Sequence, residues 1–292
     1  MRRIAAALVL GVVAVTSGVG AGGVLHAAAA TAPKVVLIVG PTGSKTADYR
    51  IGANAAYAEA IKYTPNVVKV YSPNATWTAV KAATAGASIV VYLGHGNGWP
   101  SPYTYDPAYT TKDGFGLNAS ANNGDSNTKY YGEPYVSTLG LAPNAVVLLN
   151  RLCYASGNSE PLLAAPSLST AKARADNYGV GFLKGNARAV IADGHISSMA
   201  YYIRALFTSH TTLDRLWRAA PNFHSHAFSF ASMRSPGYSV EMDPDNRSST
   251  GAYSGYYRSL VGRLDLSSDS VVGIPVVSAF TERVAIVGTR SR

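Results

Sequence analysis

Ala145-Val146-Val147-Leu148-Leu149-Asn150-Arg151-Leu152-Cys153-Tyr154-Ala155-Ser156-Gly157 is the stretch that decides the fold. Its opening apolar run, without polar alternation, predicts a strand buried on both faces, as in a parallel sheet covered by helices. The run ends on the polar pair Asn150-Arg151 and then reaches Cys153, the only cysteine in the chain. A second such run, Ser88-Ile89-Val90-Val91-Tyr92-Leu93, ends on Gly94-His95-Gly96-Asn97-Gly98. In an open α/β sheet, ligands gather beyond the carboxyl ends of the strands. One strand stopping at His-Gly and another stopping near a lone Cys would place an imidazole and a thiol on one edge of one sheet.

Outward from these two strands the pattern is regular. Lys34-Val35-Val36-Leu37-Ile38-Val39 predicts a first strand, residues 46–63 a helix, residues 67–71 a second strand and residues 75–85 a second helix. The β-α-β-α-β order with short connections predicts a doubly covered, mostly parallel sheet with right-handed crossovers. Gly40-Pro41-Thr42-Gly43-Ser44-Lys45-Thr46 looks like a phosphate-binding loop, but that loop needs four residues between its glycines and a Gly directly before the Lys. Here it reads as a strand-to-helix turn. Residues 99–135 are rich in Pro, Tyr, Asn and Gly and too long for an idle connector, so they are expected to form a binding loop or lid. Downstream, residues 171–178 read as a short helix, 185–194 as a strand, and 197–209 and 213–219 as helices. Strand-like runs at 271–280 and 283–287 suggest an edge hairpin or a small β appendage.

The chain has 292 residues, 47% hydrophobic and 14% charged, enough apolar material for one sizeable core or two small ones. Met1-Arg2-Arg3, the apolar run that follows and Ala-x-Ala options between Ala27 and Ala32 read as a secretory signal peptide over residues 1–30. Its loss removes Arg2 and Arg3 and lowers the formal net charge by two, from +9 to +7. That balance allows contact with an anionic cell-envelope polymer. The basic residues are scattered, which argues against nucleic acid as a partner, and no transmembrane segment is expected after signal cleavage. The expected location is secreted or associated with the cell envelope.

A single cysteine in an exported chain closes no intrachain disulfide, so Cys153 is an inert buried thiol, half of an intermolecular bridge, or a nucleophile. Read as a nucleophile, it gains from an imidazole that holds its proton. Gly96 N–H and Cys153 N–H would be the oxyanion donors. Arg151, two residues before Cys153 and so on its face of the strand, would favour the thiolate with His95 and give fast alkylation near neutral pH. His195, in Asp193-Gly194-His195, also follows a strand and is a rival partner for Cys153. His224 and His226 have a metal-compatible i, i+2 spacing, but with no acid or Cys at ligand spacing in sequence no zinc site is expected. Asp106, Asp113 and Asp125 read as turn chemistry.

Strand-Gly-His-Gly followed by strand-x-Cys-x-x-x-Gly resembles the caspase-like cysteine peptidases, a family that includes caspases, metacaspases and CHAT domains. The resemblance covers roughly residues 34–207, including Gly185-Asn186-Ala187-Arg188-Ala189-Val190-Ile191 as the strand after the nucleophile. It implies His95 as general base, Cys153 as nucleophile and Gly96 N–H as part of the oxyanion hole. Arg151-Leu152 departs from the Gln-Ala or acidic stretch before the family's Cys, so its specificity pocket does not carry over. Arg151 and Asp193 are the candidate substrate-binding residues, with a lean to an acidic P1 side chain through Arg151.

The expectation is therefore a three-layer α/β/α caspase-like sandwich over residues 31–220, with a mostly parallel sheet and a small β-containing extension over 221–292. The expected function is that of an exported bacterial cysteine endopeptidase acting on a protein or peptide substrate without a cofactor. The alternative is a catalytically inactive caspase-fold protein that binds the cell envelope.

Overall fold

The computed structural model describes residues 32–195 and 198–274. The expected signal peptide and the strand-like run at 283–287 lie outside the described residues. Val35–Val39 (β1), Val67–Tyr71 (β2), Ile89–Leu93 (β3), Ala145–Asn150 (β6) and Ala187–Asp193 (β7) form the parallel part of one sheet, in the order β2-β1-β3-β6-β7. The long segment between β3 and β6 carries a separate antiparallel hairpin, Phe115–Asn118 (β4) with Thr128–Tyr131 (β5). β1, β3 and β6 are buried at every position, as their unbroken apolar runs require.

Alternate residues of the sheet feed two separate cores. Val35, Leu37 and Val39 face one side, with Ile203, Leu206 and Trp217; Val36 and Ile38 face the other, with Val80, Tyr178 and Phe182. The first layer comprises Thr46–Ala60 (α1), Ser198–Thr208 (α5), Leu213–Arg218 (α6) and Ser268–Val272 (α7). The opposite layer comprises Trp77–Thr84 (α2), Glu133–Val136 (α3) and Leu168–Lys184 (α4). The result is an α/β/α sandwich. Each fully buried Val, Leu or Ile contributes about 1.5–3 kcal/mol, so the two cores dominate the cohesion of the sheet. Among the described residues no helix is long and apolar enough to cross a membrane.

The sheet continues past the parallel strands. Phe228–Ala231 (β8), Ser239–Met242 (β9) and Arg258–Gly262 (β12) add three antiparallel strands in the order β7-β12-β9-β8. A small ribbon, Asn246–Arg247 (β10) with Tyr253–Ser254 (β11), fills the connection between β9 and β12. The strand expected at 271–280 begins instead in α7, which takes Val271 and Val272 into the first core; positions from 275 onward lie outside the described residues. α4 is also longer than expected. Its Gly179 and Gly181 look like helix breakers, but a Cβ at either would stand 2.6 Å from Val261 or Val136, so these glycines allow close packing.

Candidate active site

β3 and β6 are parallel neighbours, with Leu93 opposite Asn150. His95 follows Leu93 by two residues and Cys153 follows Asn150 by three, so both leave the same edge of the sheet from adjacent strands. They line one cleft of about 400 Å³ together with Gly96, Asn97, Tyr103, Lys112, Tyr130 and Glu160. The two tips touch through Gly96: a Cβ there would collide with the Cys153 carbonyl oxygen and lie 2.9 Å from its nitrogen. Only glycine allows this approach. Among the described residues, neither Gly96 N–H nor Cys153 N–H has a hydrogen-bond acceptor in the protein. Both donors are therefore free for a ligand oxygen.

The His95 tip is supported from below. The buried Tyr92 hydroxyl lies 3.0 Å from the His95 carbonyl oxygen and 2.8 Å from that of Gly116, and it accepts from Gly116 N–H at 2.9 Å. Gly116 belongs to β4, so the hairpin within the 99–135 segment holds the main chain of His95. The same segment supplies Tyr103, Lys112 and Tyr130 to the cleft. It is a lining loop of the candidate site. Arg174 of α4 ties its start to the loop after the nucleophile, donating to the carbonyls of Pro100 and Asn158 at 2.6 and 2.8 Å.

Glu160 is the residue that sequence reading missed. It lies in a segment that reads as a plain loop, yet its carboxylate accepts from Tyr103 Oη at 2.8 Å and from Tyr154 Oη at 2.7 Å. The two phenols hold the acid at the cleft wall. Its only signal in sequence is an acid seven residues after the lone cysteine, beside a Tyr-rich segment.

Electrostatics in the cleft run against the expected activated thiolate. Burial, and then the Glu160 carboxylate, push the Cys153 thiol up to about 11. Partial burial of the ring lowers the His95 pKa, with Glu160 pulling the other way, although the side chain still reaches solvent at the rim. At neutral pH the pair is a neutral thiol and a neutral imidazole.

Arg151 does not share the face of Cys153. β6 stops at Asn150, and Arg151 takes a left-handed backbone (φ 59°), which breaks the alternation of sides that an extended strand would give. Its guanidinium lies 5.0 Å from the Tyr49 ring centroid and lines a separate cavity of about 440 Å³ with Lys45 and Asp48. It neither lowers the thiol pKa nor faces the cleft. Asp193 is likewise unable to read a substrate. It is buried, accepts from Tyr202 Oη at 3.0 Å and Asn222 Nδ2 at 2.8 Å, and sits 3.6 Å from the buried Arg258. The link between Arg151 and Asp193 is a main-chain one, Arg151 N–H to Asp193 C=O at 2.9 Å.

His195 belongs to Asp193 and not to Cys153, with Nδ1 3.1 Å from Asp193 Oδ1. That hydrogen bond, and then Asp245, raise its pKa to about 9. Asp106 and Asp125 serve turns and ties: Asp106 accepts from Thr110 and Thr111, and Asp125 from Arg50 and Ser72. Asp113 is buried and accepts from Trp99 N–H at 3.2 Å. No protein-family model matches the chain, and no curated protein matches it in sequence.

Proposed function

We propose that the protein is an exported cysteine endopeptidase of the caspase-like type, with Cys153 as nucleophile and His95 as general base. The observation that carries this reading is the meeting of the two strand tips in one cleft, with Gly96 packed against the Cys153 main chain. A neutral imidazole is the form that can accept a proton. As Cys153 Sγ attacks the scissile carbonyl carbon, its proton passes to His95, and the carbonyl oxygen becomes an oxyanion received by Gly96 N–H and Cys153 N–H. Collapse breaks the C–N bond, the leaving amine takes the proton from His95, and a thioester remains. Water, deprotonated by His95, hydrolyses that thioester and restores the thiol. With Arg151 outside the cleft, the acidic P1 preference loses its basis; Glu160 and Lys112 both line the cleft, and a basic P1 side chain set against the Glu160 carboxylate is the preference to test.

A peptidyl electrophile with Lys or Arg at P1 tests the assignment. It should form a covalent adduct on Cys153, detected by intact mass, and the adduct should vanish in His95→Ala and in Cys153→Ser. The raised thiol favours a second reading, a protein of this fold without catalysis that binds an anionic cell-envelope polymer. A folded protein that leaves the peptidyl probe unreacted while retaining polymer would support that reading over the enzyme.

A further inference from the structure

We infer that His195, His224 and Asp245 form a binding site for a single zinc-class divalent cation, beside the dyad and distinct from it. The three residues come from three connections: His195 follows β7, His224 lies between α6 and β8, and Asp245 follows β9. One ligand atom from each residue, a ring nitrogen of either histidine and an Asp245 carboxylate oxygen, lies within 4.8 Å of the others. Asp245 Oδ1 stands 3.6 Å from His195 Nε2 and 3.6 Å from His224 Nδ1. Zinc bonds of about 2.0–2.2 Å in tetrahedral arrangement require ligand atoms about 3.3–3.5 Å apart. Two edges of the triangle are thus already close to the length a bound ion imposes.

The separations are too long for hydrogen bonds, and this leaves a deficit that a cation fills. Asp245 Oδ1 and His224 Nδ1 are both shielded from solvent and have no hydrogen-bond partner. Shielded polar atoms without partners are costly. A protonated His195 held between Asp193 and Asp245 would leave His224 Nδ1 unpaired. A metal ion satisfies all three atoms together.

The surroundings have the form of an outer shell. His195 Nδ1 lies 3.1 Å from Asp193 Oδ1, so when a cation displaces the second ring proton the remaining hydrogen stays on Nδ1 toward Asp193 and Nε2 takes the metal. Asp193 is itself held by both contacts from Asn222 Nδ2, at 2.9 and 2.8 Å. His224 is placed through its main chain, whose N–H donates to Asp243 Oδ2 at 2.8 Å, and Asp243 is paired with the buried Arg258. His226 stands apart, with its Nδ1 2.9 Å from Pro244 O. Two imidazoles and one carboxylate suit zinc, cobalt or iron better than calcium or magnesium.

The ion would act through position. Asn150, three residues before Cys153, donates through Nδ2 to the carbonyls of Asp193 and His195, both at 2.8 Å. Fixing His195 to the two later loops therefore steadies the end of the strand that presents the nucleophile.

The test is titration of the full-length protein, after removal of metal with a chelator, first with Co²⁺ and then with competing Zn²⁺. One equivalent of Co²⁺ should bind and give the visible absorption of a low-coordinate nitrogen–oxygen site, Zn²⁺ should displace it, and Zn²⁺ should raise the thermal midpoint. His224→Ala and Asp245→Asn should each weaken Co²⁺ binding at least tenfold, whereas His226→Ala and Cys153→Ala should not. Folding of each variant is checked by circular dichroism, and Asp245→Asn keeps the side-chain volume if His224→Ala proves unstable. Absence of stoichiometric Co²⁺ and Zn²⁺ binding to the folded protein would overturn the inference. So would binding that survives both ligand variants, or that disappears with Cys153→Ala.

Discussion

Substituting Glu160→Gln should speed alkylation of Cys153, although it adds no group that touches the thiol. The thiol is held at about 11 by burial and then by the Glu160 carboxylate. Near pH 8, a thiol at that value is about 0.1% ionised, against about a quarter for an ordinary cysteine at ~8.5. The more basic thiolate is intrinsically more nucleophilic, and a Brønsted slope of about 0.4–0.5 recovers roughly tenfold. Iodoacetamide should therefore alkylate the native wild type about twentyfold more slowly than the same protein unfolded in urea. The sign follows from charge: removing the carboxylate makes the thiolate easier to form, so the Glu160→Gln profile moves to lower pH and its rate near pH 8 rises. The burial contribution remains, so the variant stays slower than the unfolded chain. The assay is alkylation rate against pH from 6 to 11, read by intact mass. A wild-type profile that levels off by pH 9, or a Glu160→Gln profile that coincides with the wild type, would refute the reasoning.

Gly96→Ala forces a methyl into the Cys153 carbonyl, so it should cost about 1–3 kcal/mol in urea unfolding and abolish labelling by the peptidyl probe. Arg258→Met removes a fully buried guanidinium that bonds Asp243 at 2.5 Å and Trp217 O at 2.7 Å; with the buried Asp243 carboxylate left without its guanidinium partner, the loss should be about 3–5 kcal/mol, and a loss under about 1 kcal/mol would show the network to be dispensable. Burial raises the Asp113 pKa well above the carboxylate range, so the fold keeps its proton while the unfolded chain loses it near pH 4, and stability falls as pH rises beyond that value. Asp113→Asn removes this dependence, so its thermal midpoint should gain on the wild type between pH 4 and pH 8; a gap that is constant with pH would contradict the assignment.

The parallel strands were legible because each is a continuous apolar run between turn residues, and β2 and β3 fall at the positions the runs predict. The antiparallel strands β9 and β12 were not, because their buried faces carry charge. Glu241 and Asp243 lie at the end of β9, and Arg258 opens β12 with no exposed surface. A strand that begins on arginine reads as a loop until its partner acids, from separate segments, come together. The placement of His95, Gly96 and Cys153 was legible for the opposite reason: each lies within three residues of a strand end, where register alone fixes the neighbour. Arg151 failed because the alternation rule holds only while the backbone stays extended, and one left-handed residue after Asn150 ends it. Glu160 had no such anchor, since its position depends on hydrogen bonds from two phenols in different segments.

The same edge of the sheet carries the cleft of an uncharged dyad and a buried charged network, and the strand pair β6–β7 joins them. On the β6 side, Cys153 and His95 are uncharged at neutral pH. On the β7 side, Asp193, Asp243 and Arg258 are buried together and pinned by Tyr202 and Asn222. Buried ion networks seldom stabilise a fold more than apolar packing would, so their worth here is geometric: they fix Asp193, and through Asn150 they fix the end of β6. A nucleophile with a raised pKa depends on orientation more than on resting ionisation, because its proton must move during attack. The charged network therefore supports the proposed chemistry from one strand away, by holding the strand end that aims Cys153.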